Sequence, residues 1–250
     1  RRILRRRGLV RRRRQFGELV MRKMTLQDQA RIAEAVEAAE KTTAGEIFCV
    51  LAPEVSENRE VPLIWAAAAA LILPAGGLLA GMRPDMLTRL FGGWTVGHAS
   101  ATDATILSTL SIYIGLQAAI FVLTTLLVSI PPVRRALTPR ALKASAVRRA
   151  AMEQFLGQGL HLTRDRTGVL IFAALAERRV EVIADEGIYK AAPQTVWDEV
   201  RADLVAGLAR GRIADGFVAA VTRTGQILSA HVPVRTGDRN ELPDGLTILP

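Results

Sequence analysis

Residues 163–188 read TRDRTGVLIFAALAERRVEVIADEGI. Two apolar runs, 168–174 and 180–184, flank a short polar turn around Glu177, Arg178 and Arg179. That is the pattern of a strand, a tight turn and a second strand. In the second run Val180, Val182 and Ala184 alternate with Glu181 and Ile183, so one face is mostly apolar and the other mixed. The pair opens with Asp165 and closes with Asp185 and Glu186. An antiparallel hairpin returns to the end where it began, which predicts these carboxylates at one end of a sheet.

Helices flank the hairpin. Thr25 and Asp28 read as a cap and a first-turn acid, and Ile32, Ala33, Val36 and Ala39 follow at helical spacing up to Lys41 and Thr42, with Gly45 as breaker. Residues 46–51 then form a continuous apolar strand of the kind that sits centrally and parallel. Thr138-Pro139 predicts another helix start, with a buried stripe of Leu142, Ala146, Ala150, Met152, Phe155 and Leu156, ending near 157–159. Two more helices are expected at 193–209 and 213–231, carrying Trp197, Val200, Leu204, Phe217, Val221 and Leu228. The tail, 233–250, is polar and bears Pro and Gly.

Two segments stand apart. Residues 61–82 and 105–130 contain no charge, and at ~1.5 Å per residue each is long enough for a hydrocarbon core of about 30 Å. Pro74 and the pair Gly76-Gly77 predict a kink that a membrane helix tolerates. Two helices buried in a soluble core are the alternative, and a domain of this size rarely hides both. Arg83 and Arg89 are the only Lys or Arg within 83–104, whereas Arg59 precedes the first run and Arg134, Arg135, Arg140, Lys143, Arg148 and Arg149 follow the second. The positive-inside rule then puts the soluble domain in the cytoplasm and the short loop outside.

The formal charge is +9, yet residues 1–20 hold nine Arg and one Glu, which leaves the other 230 residues near +1. With no basic patch over the folded part and no interleaved aromatics, nucleic acid is not an expected partner. Residues 1–20 are read as an upstream translation or an arm outside the fold, with anionic-lipid binding as the sharper alternative. Cys49 is alone, so no intramolecular disulfide exists. It reads as a small core residue. His98, His161 and His231 are isolated in sequence.

Thr163, Arg166, Thr167 and Gly168 with VLIF at 169–172, then ERRVEVIAD at 177–185 with Gly187 and Ile188, resemble the core of the TPM domain family. The resemblance covers about residues 25–58 and 132–245. Trp197-Asp198 and the stretch NELPD at 240–244 resemble further motifs of members that carry a membrane hairpin. The family includes thylakoid-lumen proteins, a photosystem II repair factor, an auxiliary protein of an acetylcholine receptor and many bacterial membrane proteins. Its members are often extracytoplasmic, so the charge-based orientation departs from the resemblance.

Parallel strands joined by a crossover start at the same end. Glu46 should therefore share an end with Asp165, Asp185 and Glu186. Oxygen-only sites suit Ca²⁺ or Mg²⁺, and the resemblance implies calcium binding or acid phosphatase activity, since some members have one or the other. Against this, Arg164, Arg166, Arg178 and Arg179 lie close enough to make plain ion pairs, and residues 185–187 suit a strand-ending turn. No Ser/His/Asp or Cys/His arrangement, phosphate-cradling glycine loop or HExxH is present.

These readings converge on an α/β protein: a small mixed sheet of three to four strands covered by helices, with an inserted two-helix transmembrane hairpin. The expected organisation is a basic arm at 1–20, a TPM-like domain at 25–58 and 132–232, the membrane hairpin at 61–130 and a tail at 233–250. It would sit in a bacterial inner membrane as a multi-pass protein, with the bilayer and an unknown membrane protein as partners. The expected role is a non-enzymatic interaction or assembly module. A divalent-metal-dependent acid phosphatase is the alternative.

Overall fold

The computed structural model describes residues 24–55, 60–81, 101–234 and 242–249. Residues 1–20, Gly92 and His98 lie outside them. The elements divide into two units, one of residues 1–57 and 140–250, the other of residues 58–139.

In the first unit α1 (Leu26–Glu40) begins with a reciprocal cap. The Thr25 hydroxyl accepts the Asp28 N–H at 3.0 Å, and Asp28 accepts the Thr25 N–H at 3.0 Å. Two orphan donors are thereby satisfied. Strand β1 (Ile47–Ala52) follows. After the second unit come α5 (Arg140–Gly157), a single 3₁₀ turn (Leu160–Leu162), β2 (Val169–Ala174) and β3 (Arg179–Ala184). A short α6 (Glu186–Tyr189), α7 (Gln194–Ala209), α8 (Ile213–His231) and β4 (Leu246–Ile248) complete it.

The strands form one mixed sheet in the order β3-β2-β1-β4. β1 pairs in parallel with β2, Ile47 opposite Val169, and with β4, Cys49 opposite Leu246. β2 pairs antiparallel with β3, Val169 opposite Ala184. The expected hairpin and crossover are both present. Every residue of β1 and β2 is buried because helices cover both faces. Ile47, Cys49, Leu51, Val169, Ile171 and Ala173 pack against α1, α7 and α8. Phe48, Val50, Leu170 and Phe172 pack against α5. At ~25 cal/mol per Å² of apolar surface, each such side chain stabilises the fold by about 1.5–3 kcal/mol.

Two expectations need correction. The α5 stripe is Val147, Ala151 and Phe155, a narrower i, i+4 line than expected, and Leu142, Met152 and Leu156 are exposed. Thr138 does not cap α5. It closes a separate short helix, α4 (Pro131–Leu137), and its hydroxyl donates to the Arg134 carbonyl at 2.7 Å. Within the tail, residues 246–248 form β4.

In the second unit α2 (Val61–Leu79) packs along α3 (Ala101–Val128). Ala66 and Ala70 are buried one turn apart on α2, small residues that let two helices approach. The Trp65 indole N–H donates to the Leu137 carbonyl at 3.2 Å. One helix is long and apolar enough to cross a membrane, Leu110–Val128, and only 6% of its apolar window is buried. The apolar part of α2, Val61–Gly77, is shorter.

Candidate functional site

The starting ends of β1 and β2 hold the acids singled out above. Glu46 stands just before β1 and is buried, and its carbonyl accepts the Val169 N–H at 2.8 Å. Asp185 follows β3, is buried, and donates its N–H to the Gly168 carbonyl at 2.9 Å. Asp165 lies half-buried in the loop that leads into β2. The shape of this loop is fixed locally. Arg166 takes the left-handed backbone conformation at φ 57°, its carbonyl accepts the Gly187 N–H at 3.0 Å, and the Thr167 hydroxyl donates to the Ala44 carbonyl at 3.2 Å. A Cβ at Gly187 would fall 2.5 Å from the Asp165 carbonyl oxygen, so only glycine admits this contact between the loop and α6. The backbone thus brings Glu46, Asp165 and Asp185 to one end of the sheet, as the topology predicts.

The side chains have separate uses. Asp185 caps α6, its Oδ1 accepting the Glu186 N–H at 2.7 Å with Arg166 Nη1 at 3.9 Å, while its Oδ2 is buried without a hydrogen-bond partner. Glu186 is exposed and accepts a hydrogen bond from Lys190. That bond, reinforced by the Lys190 charge, holds its carboxyl below the usual range. Glu181 faces Arg148 at 3.7 Å. Among the described residues no group of three or more His, Cys, Asp or Glu side chains is placed to hold a metal ion. Asp185 and Glu186 stand here as hydrogen-bonding and ion-pairing groups.

A second acidic group, on the β4 side, was not legible in the sequence. Glu40 ends α1, and its Oε1 accepts the Ile47 N–H at 2.8 Å. Its carboxyl also hydrogen-bonds Asp244, which precedes β4, and it feels the negative charge of Glu46. Burial is the largest influence, and with Glu46 and Asp244 it pushes Glu40 up to about 8. Glu40 and Asp244 are far apart in sequence and share no motif spacing. The one available signal was the acid within the stretch at 240–244.

The remaining candidates are structural. Cys49 is fully buried, and burial pushes its thiol up, away from the reactive thiolate. Trp197 is buried in the core under α7, as its place in the helical pattern predicts.

Residues 135–227 match the family model described as TPM domain, the family that the hairpin resembles. No curated protein matches the sequence. Among solved structures, the chain is similar to the NMR structure of BA42 protein from the psychrophilic bacterium Bizionia argentinensis. Identity is 17%, the TM-score is 0.51, and the match covers 90% of this chain and 94% of that one. At that identity the likeness establishes the fold alone.

Proposed function

We propose that this chain is a membrane-tethered TPM domain that acts as a non-enzymatic interaction or assembly module in a bacterial inner membrane. The observation that carries the tether is the exposure of α3: its apolar window, Leu110–Val128, is 6% buried. A helix in a soluble core would be mostly covered, whereas here Leu123, Leu126 and Leu127 face outward. α2, which packs along α3, is the second span of this reading, and the arginines after the second run support a cytoplasmic side for the first unit under the positive-inside rule. An alkaline-phosphatase fusion at Gly92 is expected to be active and one at Pro250 inactive. The reverse pattern would refute the orientation. The module role is supported by exposed apolar side chains on the soluble unit, Leu156 and Leu162, the latter 74% exposed. Photocrosslinkers at these two positions in intact membranes are expected to yield protein adducts, and lipid adducts alone would count against the role.

A phosphatase remains the competing reading because Asp185 Oδ2 is buried without a hydrogen-bond partner, and such an oxygen costs free energy unless something neutralises it. The enzyme requires a metal-dependent thermal shift and turnover of a phosphate ester, both lost in Asp185→Asn. The module requires neither.

A further inference from the structure

The sheet has two edges, and they differ. β4 is three residues long, a short edge of the kind that sheets use to avoid pairing with other chains. β3, at the other edge, is RVEVIA at 179–184, six residues with no proline and no lysine. Its outward groups follow from the ladder. The Asp185 N–H donates to the Gly168 carbonyl at 2.9 Å, and the Val169 N–H turns the other way, to the Glu46 carbonyl at 2.8 Å. Hydrogen-bonded pairs alternate along an antiparallel ladder. Arg179, Glu181 and Ile183 therefore bond β2, and the N–H and C=O groups of Val180, Val182 and Ala184 point away from it. Among the described residues no backbone group pairs with these. The helices that flank β3 pack on its faces: Ile183 lies on the α5 side, Val180, Val182 and Ala184 on the other. Val180 has its side chain in the core, while Val182, Ile183 and Ala184 are half-buried.

The charges along this strand are ordered. Arg178 and Arg179 stand at its start, Asp185 and Glu186 just past its end. Such a strand is complementary to itself when reversed. Laid antiparallel beside a second copy about a twofold axis at Val182, it sets Arg178 against Glu186 and Arg179 against Asp185, each twice by symmetry. Val182 then faces Val182, Val180 faces Ala184 and Glu181 faces Ile183. The neighbouring registers are worse. An axis at Glu181 sets Glu181 against itself, and an axis at Ile183 sets Glu181 against Asp185. Like charges directly opposite destabilise a strand pair, whereas opposite charges and β-branched pairs favour it.

We propose that the outer edge of β3 pairs with the same edge of a second copy of this chain, antiparallel about Val182, so that two four-stranded sheets become one. Backbone hydrogen bonds of Val180, Val182 and Ala184 supply the affinity, and the ordered charges fix the register. The contact is isologous, so it closes as a dimer rather than growing into a fibre. It leaves only the short β4 edges open. Glu181 keeps Arg148, 3.7 Å away, within its own chain. This seam is separate from Leu156 and Leu162 and stands whether or not those bind a partner.

A seam of one strand pair is small, so the test captures it covalently, by disulfide trapping of the full chain in intact membranes. Cys49 is buried, which leaves an introduced thiol as the reactive one. Opposed Cα atoms of a hydrogen-bonded pair lie about 5.5 Å apart, within disulfide reach. Val182→Cys is expected to give a covalent dimer on mild oxidation. Glu181→Cys or Ile183→Cys alone should give on the order of tenfold less, yet the two co-expressed should link to each other. That mixed pair reads the same register if Val182→Cys fails to fold. Arg178 and Glu186 are both exposed, so reversing either leaves the core intact. Arg178→Glu and Glu186→Arg should each lower trapping through Val182→Cys by on the order of tenfold. Co-expressed, the two restore opposite charges at both ends, and trapping should return as the mixed dimer. No trapping, adducts with another protein only, equal trapping at 181, 182 and 183 alone, or a dimer that neither charge reversal moves would overturn the seam.

Discussion

Gly207→Ala should destabilise the chain, although alanine is the better helix former. Gly207 lies inside α7, where the exchange gains about 1 kcal/mol of helix propensity. Against this, a Cβ at 207 would stand 2.4 Å from the Gly216 Cα, 2.7 Å from its nitrogen and 3.0 Å from the Arg212 carbonyl oxygen. Carbon pairs are at ease near 3.5–4.0 Å. The obstacles are backbone of α8, so no side chain can rotate aside, and α7 and α8 must separate by on the order of 1 Å. That separation loosens Leu204, Phe217 and Val221, all fully buried. Overpacking of this kind costs about 1–3 kcal/mol, and opening the interface adds to it. The net loss expected is about 1–2 kcal/mol, or a Tm lower by roughly 2–8 °C for a chain of this size. Gly157→Ala is the control, since nothing lies within 4 Å of its Cβ at the end of α5, and its Tm should hold or rise. Thermal unfolding of the solubilised protein gives both numbers. A Gly207→Ala variant as stable as the parent would refute the close backbone crossing.

Leu123→Arg separates a membrane helix from a soluble one: Leu123 is exposed, so the change is nearly free in water but costs about 2.5–3.5 kcal/mol near a bilayer centre. Loss of the protein from the carbonate-resistant membrane fraction is expected, and unchanged recovery would argue against a span. Glu40 gives the whole chain a pH dependence. Its carboxyl is raised to about 8 by burial first and neighbouring carboxylates next, so its stabilising contribution is full below about pH 4.5 and lost as pH rises through 8. This is worth about 1–2 kcal/mol after allowing for its partial exposure. The parent's Tm should fall over that window more steeply than that of Glu40→Gln, and equal slopes would contradict the assignment. Thr25→Ala removes the hydroxyl that accepts the Asp28 N–H and should cost about 1 kcal/mol, read as a lower Tm with the spectrum of the folded state unchanged.

The hairpin was legible because its signals are local. Apolar runs of strand length, a polar turn and a period of two predict β2 and β3 to within a residue. A continuous apolar β1 likewise announces a strand covered on both faces, which the two packing clusters bear out. The crossover rule then carried Glu46 to the end of the sheet that holds Asp185, a long-range placement obtained from chain direction alone. Exposure was less legible: in α5 the pattern of apolar residues is broad, and only packing decides that Val147, Ala151 and Phe155 turn inward while Met152 and Leu156 do not.

β4 shows why the tail could not be read in the same way. LTI at 246–248 is three residues long, follows a Pro-Asp-Gly sequence that reads as a turn, and has no alternation to speak of. An isolated strand of that length has almost no stability of its own. It exists because β1 presents an edge for it to pair with and because Leu246 and Ile248 pack on one side of the sheet and Leu249 on the other. Its pairing is thus conditional on a tertiary contact, whereas β2 and β3 are tied by a turn of four residues, 175–178. An element held by three backbone pairs and a few half-buried apolar side chains is the first that a change of conditions would detach. The core strands, with their fully buried side chains, should not respond, and hydrogen exchange resolved by segment would show this difference in cooperativity.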